Sequence, residues 1–524
     1  MSEVAEPNER RGRRKGSRRA QNRAVSAAPA TIEQRPWQQP RNPFPPMKLI
    51  SDDEIEAIHN ASLQVLEEIG MDFINDEAKA ILKKAGADLD PNSDRVRFDR
   101  ALVEETIRTC PSEFTVHARN PERNTRMGGN WTIYCPVASP PNSHDMDGGR
   151  RTGNTKDFQN FLRLTQYFNI LHAAGGYPVE PVDRHASTRH LDCLRDFITL
   201  TDKTFHAYSL GQERITDGIE MTRIARGVSR EQLEQEPSLF SVINTSSPLR
   251  LDTPMLNGIL NMSAAGQIIV VTPFTLAGAM APVTLAGALA QQNAEALAGI
   301  MMTQLVRPGA PVIYGGFTSN VDMKSGAPAF GTPEYMKTAI VGGQLARRYG
   351  VPYRTSNVNA ANTVDAQAAY EAVFSIWGLT MGHGNMIKHA AGWMEGGLQA
   401  SFEKLVLDVD LLQMTAEFLK PMKVDDAELA LEAMRDVGPG GHFFGTQHTQ
   451  DRYKEAFYSP IISDWRNSES WVEAGSPTAM QKANTVWKQA LADYEEPYLD
   501  PAIAEEVDAF VARRKEEGGA PVDF

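Results

Sequence analysis

The chain has 524 residues, a formal net charge of −13, and a composition that is 41% hydrophobic and 23% charged. These values exclude a wholly disordered chain, and the length allows either two or three domains or one large α/β barrel with extensions. The three cysteines are too scattered for a disulfide framework or a local zinc motif, so we predict a reducing, cytoplasmic location and no bound metal.

The N-terminal segment, residues 1–46, is rich in arginine and proline and poor in apolar residues. Such a segment cannot bury enough surface to offset its ordering entropy, so we predict a disordered basic tail without a specific role. The rest of the chain is acidic, which argues against nucleic acid as a ligand. We expect no membrane span, because no apolar run reaches the ~18 residues that a span needs.

Residues 47–130 follow as a predicted helical unit. Apolar residues recur at helical spacing over residues 51–69, and Gly70 stands where a helix C-cap is expected. The same pattern predicts further helices over residues 76–85 and 99–109.

Residues 131–463 alternate short β-branched or aromatic runs with longer helical segments, which is typical of βαβ units around a parallel sheet. Successive strand starts lie 27 to 44 residues apart, enough for a strand, a helix and two loops. We therefore predict an α/β fold, a TIM (β/α)8 barrel. The alternative is an open doubly wound sheet, although no dinucleotide-binding glycine motif follows an early strand. The predicted strands begin near Phe168, Thr204, Phe240, Gln267, Pro311, Pro352 and Asn385.

The eighth strand has two candidate positions. One is residues 131–137, ahead of the first predicted strand, and the other lies within residues 405–444, after the last. Residues 464–524 are predicted to form a C-terminal helical extension that ends in a polar tail.

In a barrel the reactive groups lie at the C-terminal ends of the strands. Applied here, this rule selects many aromatic and histidine side chains and few carboxylates. Aromatic faces attract cations by about 0.5 to 2 kcal/mol per contact, so a quaternary ammonium is a natural ligand, although any single one of these side chains is more often core or loop anchor. Motifs of zinc hydrolases, P-loop NTPases and serine hydrolases are missing from the sequence. The residues that the rule selects include His206, Tyr208, Phe317, Arg354, Ser356, Asn357, His389 and Trp393.

Five stretches have a more specific character. They are residues 273–289 (PFTLAGAMAPVTLAGAL), 308–316 (PGAPVIYGG), 331–334 (GTPE), 392–410 (GWMEGGLQASFEKLVLDVD) and 440–449 (GGHFFGTQHT). Together they resemble the trimethylamine methyltransferase family, over residues 50–499. The resemblance implies a TIM barrel that moves a methyl group from an amine to the Co(I) of a corrinoid (cobalamin) carried by a partner protein, with no cofactor tightly bound to the chain itself. We also expect a homo-oligomer.

Archaeal members of the family carry pyrrolysine shortly after a strand that begins Gly-Leu-Pro. The matching residues here are 350–352 (GVP) and 355–357 (TSN), so the pyrrolysine position falls on or within one residue of Asn357, the candidate catalytic position. Without pyrrolysine a tertiary amine lacks activation, whereas a quaternary amine needs none. The chain is therefore similar to the glycine betaine:corrinoid methyltransferases, with glycine betaine as the expected substrate.

The resemblance gives the candidate residues separate roles. Arg354, Lys388 and His389 are candidates for binding the carboxylate. Tyr208, Phe317 and Trp393 are candidates for surrounding the trimethylammonium, with His206 as a further substrate contact. Three alternatives stay open: another onium donor (carnitine, proline betaine, choline or a sulfonium), a thiol or folate acceptor, and a non-catalytic onium-binding protein.

Overall fold

The computed structural model describes residues 32–522. Its central sheet has eight parallel strands, labelled β1 to β8 in chain order. β1 pairs with β8, and from β2 to β8 each strand pairs with the next along the chain. The strands are Ile133–Tyr134 (β1), Ala173–Ala174 (β2), Thr204–His206 (β3), Leu239–Ile243 (β4), Ile268–Val271 (β5), Val312–Gly315 (β6), Tyr353–Ser356 (β7) and Met386–Lys388 (β8).

The sheet closes between β1 and β2. The backbone N–H of His172 donates to the carbonyl of Tyr134 at 2.8 Å, and the N–H of Tyr134 donates to Nδ1 of His172 at 3.0 Å. A helix follows every strand, so the fold is a (β/α)8 barrel and that prediction is confirmed. The helices are Thr155–Tyr167 (α1), Arg189–Leu200 (α2), Gln212–Arg226 (α3), Thr253–Ala264 (α4), Leu285–Val306 (α5), Pro333–Tyr349 (α6), Ala366–Met381 (α7) and Phe402–Phe418 (α8).

Closure decides two of the open alternatives. The open doubly wound sheet is wrong, because hydrogen bonds join the first strand to both β8 and β2. The eighth strand, which had two candidate positions, is β1. It lies within residues 131–137, the first of those two positions. The later position, within residues 405–444, is wrong because its apolar residues at helical spacing belong to α8 and to short helices after it.

The N-terminal unit contains the predicted helices at Asp52–Gln64, Asp76–Lys84 and Arg100–Ile107. It also contains strands that the helical interpretation omitted. Met71–Phe73, Asp88–Leu89 and Arg95–Arg97 form one sheet with Arg250–Leu251, and Glu113–Val116 pairs with Thr125–Gly128. These strands were missed because each is only two to four residues long.

Residues 33–46 belong to the segment predicted to be disordered, yet the structure describes them in contact with the barrel. Nε2 of Gln34 donates to the carbonyl of Tyr167 at 3.1 Å, and the ring of Trp37 meets that of His172 at 5.9 Å, edge to face. The segment therefore covers the end of the barrel opposite the strand C-termini. Residues 1–31 lie outside the described residues, and residues from Glu33 onward form one compact unit, so the predicted domain limits stay predictions.

Alternate side chains of each strand point into the barrel. Most are apolar and fill the interior, but inward positions of β3, β7 and β8 carry His206, Arg354 and Lys388. The apolar interior comprises Ile133, Cys135, Ala173, Phe240, Ile268, Val270, Ile313 and Met386.

Two small sheets extend the barrel wall beyond the strand C-termini. After β5 and β6, Phe274–Ala277 pairs in parallel with Phe317–Val321, which also pairs with Pro328–Ala329. After β1 and β8, Asn142–Asp145 pairs with Gly149–Thr152 and Gln399–Ser401, and the last of these with Trp393–Met394. These two sheets therefore surround the mouth of the barrel, which is the opening at the C-terminal ends of the strands.

The chain beyond α8 is helical. Short helices at Asp426–Leu429, Leu431–Val437 and Gln447–Arg452 precede others at Ser468–Glu473, Ala479–Ala492 and Pro501–Glu516. Over residues 32–522 the structure contains no helix that is both long and apolar enough to cross a membrane.

Candidate active site

The two buried cations of the site are fixed by strand alternation. The hydroxyl of Tyr353 donates to the carbonyl of Ala339 on α6, so Tyr353 points outward and its neighbour Arg354 points into the barrel. On β8, Lys388 likewise points inward and lies 5.8 Å from the ring centre of Phe240.

Arg354 has almost no compensation for its charge. It is 3% exposed, and its Nε and Nη1 atoms have no hydrogen-bond partner. Its guanidinium lies over the ring of Phe317 at 5.4 Å. Burial lowers the pKa of Arg354 from its ordinary value to about 10. A buried guanidinium with free donors is a strong indication of an anionic ligand, because such groups are otherwise paired.

Lys388 adds a second charge nearby. Burial, reinforced by repulsion from Arg354, lowers the pKa of Lys388 from 10.5 to about 7. Cys135 lies next to it, and burial raises the pKa of that thiol to about 12, so it stays a neutral thiol rather than a thiolate. Within the described chain no carboxylate contributes to the pKa of either Arg354 or Lys388.

His206 presents a neutral donor. Burial, with repulsion from Lys388 and Arg354, holds the pKa of His206 well below its usual range. The backbone N–H of Val242 donates to its Nε2 at 3.0 Å, so the ring proton is assigned to Nδ1. That Nδ1 is buried without a partner. A Cβ on Gly176 would lie 3.4 Å from it, so the glycine leaves room beside the donor.

A group of aromatic rings lies next to Arg354, beginning with Phe317. The ring centres of Phe317 and His389 are 6.2 Å apart, and His389 stacks on Trp393 at 5.4 Å. Phe330 lies 5.8 Å from Phe317 and 5.4 Å from Trp393 and so connects them. Burial keeps His389 neutral by lowering its pKa well below the usual range, and its Nδ1 has no partner.

Tyr208 belongs to a different group of rings. Its ring meets those of His206 and Tyr177 edge to face, each at 4.5 Å. Its hydroxyl lies 2.8 Å from Oγ of Ser139 and accepts from the N–H of Tyr177 at 3.1 Å. The predicted cage residues therefore divide into two groups: Phe317 and Trp393 form one with His389, whereas Tyr208 lies with His206.

Asn357 lies at the strand C-termini, but its side chain is already occupied. Its Nδ2 donates to the carbonyl of Ala390 at 3.3 Å, and its Oδ1 accepts from Nδ2 of Asn359 at 3.4 Å. Its backbone N–H donates to the carbonyl of Lys388 at 3.0 Å. These bonds tie the loops after β7 and β8 together.

Sequence reasoning selected Ser356 but missed Asn359 and Phe330. Oγ of Ser356 and Oδ1 of Asn359 are buried acceptors without a partner at the end of β7 and just after it. Strand alternation places Ser356 on the inward face of β7, which it shares with Arg354. Phe330 could not have been found this way, because the strand pair 317–321 and 328–329 carries it back to the site.

The arrangement brings positive charge and free donors next to aromatic rings, with Arg354 in contact with Phe317. Among residues 32–522 no group of three or more His, Cys, Asp or Glu side chains is placed to hold a metal ion. The site therefore suits a small ligand with an anionic end and an apolar or onium end.

Comparison with known proteins gives the family. The family model described as trimethylamine methyltransferase (MTTB) matches residues 12–519. The chain belongs to the trimethylamine methyltransferase family. It is 36% identical over 477 residues to the glycine betaine methyltransferase of Desulfitobacterium hafniense (strain Y51), covering 91% of this chain and 99% of that protein. It is 27% identical over 476 residues to the trimethylamine methyltransferase MttB2 of Methanosarcina mazei, covering 89% and 94%.

The solved Methanosarcina barkeri monomethylamine methyltransferase (MtmB) covers 85% of this methyltransferase and 98% of its own chain, at a TM-score of 0.45 and 11% identity. The barrel assignment rests on the strand pairing given above, and the methyltransferase class on the family.

The mouth of the methyltransferase has an apolar rim. Loops that follow six of its eight strands each expose a large apolar side chain, and Val283 and Met323 both border Gly278. Exposed apolar side chains that surround a cavity mark a surface for contact with another molecule. The rim residues are Met146, Val182, Leu210, Val283, Met323 and Leu398.

Proposed function

We propose that this methyltransferase takes a methyl group from glycine betaine, a zwitterionic quaternary amine, and passes it to a Co(I) corrinoid held by a partner protein. The observation that carries the proposal is the pair of uncompensated buried cations, Arg354 and Lys388, next to a group of aromatic rings. The similarity to a glycine betaine methyltransferase supports the same substrate.

The cations bind the carboxylate. Arg354 offers Nε and Nη1, and Lys388 and Nδ1 of His206 add donors on the same side. Because two positive charges stand in the cavity, a ligand with net positive charge, such as choline or protonated trimethylamine, is repelled. A zwitterion is not repelled, because its carboxylate is attracted to these two charges.

The aromatic rings hold the trimethylammonium end. Phe317, His389 and Trp393 offer π faces, and the low pKa of His389 keeps that ring uncharged. Each face contributes about 0.5 to 2 kcal/mol when the cation is desolvated. Asn357 is a positioning residue in this scheme, because it fixes the loops that carry Lys388 and His389.

The methyl transfer itself requires no proton transfer by residues of this chain. A methyl carbon already bonded to a positive nitrogen is attacked from the side opposite that nitrogen, the C–N bond breaks, and its electron pair stays on nitrogen, leaving dimethylglycine as a carboxylate anion with a neutral amine. No proton moves, which fits a site whose histidines are neutral and which has no free carboxylate. The residues bind the substrate, exclude water and aim one methyl outward.

The corrinoid supplies the nucleophile when its carrier protein is docked. The apolar rim fits such a carrier, because it surrounds the end of the barrel where the strand C-termini and the site lie.

A calorimetric titration with four ligands tests the proposal. Glycine betaine is compared with 3,3-dimethylbutanoate, which has the same shape and carboxylate but no positive charge, and with choline, which has the onium but no carboxylate. Trimethylamine is the fourth ligand.

We expect glycine betaine to bind at least tenfold more tightly than dimethylbutanoate, because only the betaine gains the aromatic contacts with a cation. Choline and trimethylamine should bind weakest. Equal binding of choline and betaine would contradict the role of Arg354 and Lys388, and no binding of any onium compound would refute the proposal.

A further inference from the structure

A segment after α8 leaves the body of the protein. We call residues 421–457 the arm. Its hydrogen bonds, ion pairs and ring contacts in the described chain all lie within the arm itself, for example from Gln450 to Phe444 and from Gln447 to Asp451. Ala433 is its one fully buried residue. The arm begins after Leu419 and ends at Tyr458, whose hydroxyl donates to Asp410, so both of its ends are anchored on α8.

The arm is nevertheless apolar and partly helical. Phe444 is 80% exposed and Phe457 is 86% exposed. Helices as short as Leu431–Val437 are not stable alone in water, so they need a surface to pack on. The exposed apolar residues of the arm are Met422, Val424, Leu429, Leu431, Met434, Phe443, Phe444, Tyr453 and Phe457.

A second apolar surface lies on the flank of the barrel. Helix α7 carries Tyr370, Val373, Phe374 and Trp377 at positions i, i+3, i+4 and i+7, all exposed. Such a stripe normally faces a core. Phe418 continues it through ring contact with Trp377 at 5.2 Å, and Phe44 through contact with Phe418 at 5.3 Å. We call these six residues the α7 face.

We propose that this face is covered by the arm of a second copy of this chain, in a two-fold dimer in which each arm lies on the partner's α7 face. If a fully exposed large side chain presents about 200 Å², the exposed fractions leave roughly 600 Å² of apolar surface on the face and roughly 1,100 Å² on the arm. A stable interface buries about 800 Å² per partner. Two contacts of this kind are therefore sufficient for a stable dimer.

Other occupants fit less well. Residues 1–31 contain no Phe, Trp, Tyr, Leu or Ile and many arginines, so they cannot fill an apolar face. Acidic residues outnumber basic ones in the arm, which disfavours an anionic lipid surface. If the corrinoid carrier docks at the barrel mouth, as proposed above, the flank at α7 is left for another partner.

The test is sedimentation velocity of the full-length protein over a range of micromolar and lower concentrations. Tyr370→Asp alters the face, where Tyr370 is 61% exposed, and Phe444→Asp alters the arm. Tyr498→Asp is the matched control, because Tyr498 is 80% exposed and lies outside both surfaces. Far-UV circular dichroism checks that each variant folds.

We expect a dimer whose dissociation constant rises at least about 100-fold in each of the two variants and stays unchanged in the control, because each change is repeated twice per dimer. Mixing Tyr370→Asp with Phe444→Asp should restore part of the association, since one intact arm then meets one intact face. A monomeric wild type, or a dimer unaffected by both variants, would overturn the proposal. So would a monomer that associates only with a corrinoid protein. Methyl transfer plays no part in this measurement, so failure of the proposed function would leave its result unchanged.

Discussion

Replacing Arg354 by methionine should make the protein more stable and the site less able to bind its substrate. In the described structure the guanidinium has no ion-pair partner, and burial lowers its pKa from its ordinary value to about 10. This depression corresponds to roughly 3 kcal/mol of unfavourable free energy for the charged form. Methionine fills a similar volume without charge, so the free energy of unfolding should increase by roughly 1 to 3 kcal/mol. For a chain of this size the melting temperature should rise by about 1 to 3 °C.

The affinity for glycine betaine should fall, although the stability of the protein rises. Loss of a buried, charge-assisted hydrogen-bond pair to the carboxylate costs about 2 to 4 kcal/mol, equivalent to a rise in Kd of about 30-fold to 1,000-fold. Differential scanning calorimetry and titration calorimetry on the same preparation measure both quantities.

Arg184 provides the matched control. Its Nη2 donates to Asp196 at 2.6 Å, and both side chains are largely buried, so this guanidinium is compensated. Arg184→Met should lower the melting temperature, because it leaves Asp196 without its partner. If Arg354→Met lowers the melting temperature as Arg184→Met does, or leaves the Kd for glycine betaine unchanged, the interpretation of Arg354 as an uncompensated carboxylate-binding group is wrong.

Three further predictions concern Lys388, Trp393 and Asp408. Because the pKa of free Lys388 is about 7, the affinity for glycine betaine should be constant below that pH and fall up to tenfold per pH unit above it. At pH 8 binding should take up a proton, seen as a dependence of the calorimetric enthalpy on buffer. Trp393→Leu should reduce the preference for glycine betaine over 3,3-dimethylbutanoate by about 2-fold to 10-fold. Asp408→Asn should lower the free energy of unfolding by about 3 to 5 kcal/mol, measured in urea, because it leaves buried Lys404 unpaired.

Each of these has its own control. Lys388→Met should abolish the proton uptake; uptake that persists would assign it to another group. Trp465 is exposed, so Trp465→Leu should leave the ligand preference unchanged. If both tryptophan changes have an equal effect, the preference does not arise from the aromatic rings around Trp393. Asp52 pairs with Lys48 at the surface, so Asp52→Asn should change stability by less than about 1 kcal/mol. An effect of Asp408→Asn as small as this would show that the buried pair is not stabilising.

The barrel was predictable because its interior strands are short apolar runs separated by amphipathic helices. β4 and β5, for example, are buried along almost their whole length. β1 was ambiguous because only Ile133–Tyr134 forms the strand, and its hydrogen bonds reach partners far along the chain. The contact of Trp37 with the barrel was not predictable, since composition describes the average behaviour of a tail and not one well-fitting aromatic residue.

For the site, the strand-end rule located Arg354, His206 and Trp393 but gave no information on how they group. The division of the cage residues, with Tyr208 bonded to Ser139 on the other side, depends on loop conformations that the local sequence does not determine. Whether Arg354 is paired with a carboxylate is likewise a property of the packed structure.

The most direct test of the central claim is an anaerobic single-turnover experiment in which the methyltransferase, glycine betaine and free Co(I) cobalamin are mixed and followed by visible absorbance. We predict that the Co(I) spectrum disappears as methylcobalamin forms, with an equal amount of dimethylglycine, and that choline and trimethylamine give no such change. Glycine betaine that binds tightly but yields neither product, or trimethylamine that reacts faster than glycine betaine, would contradict the account.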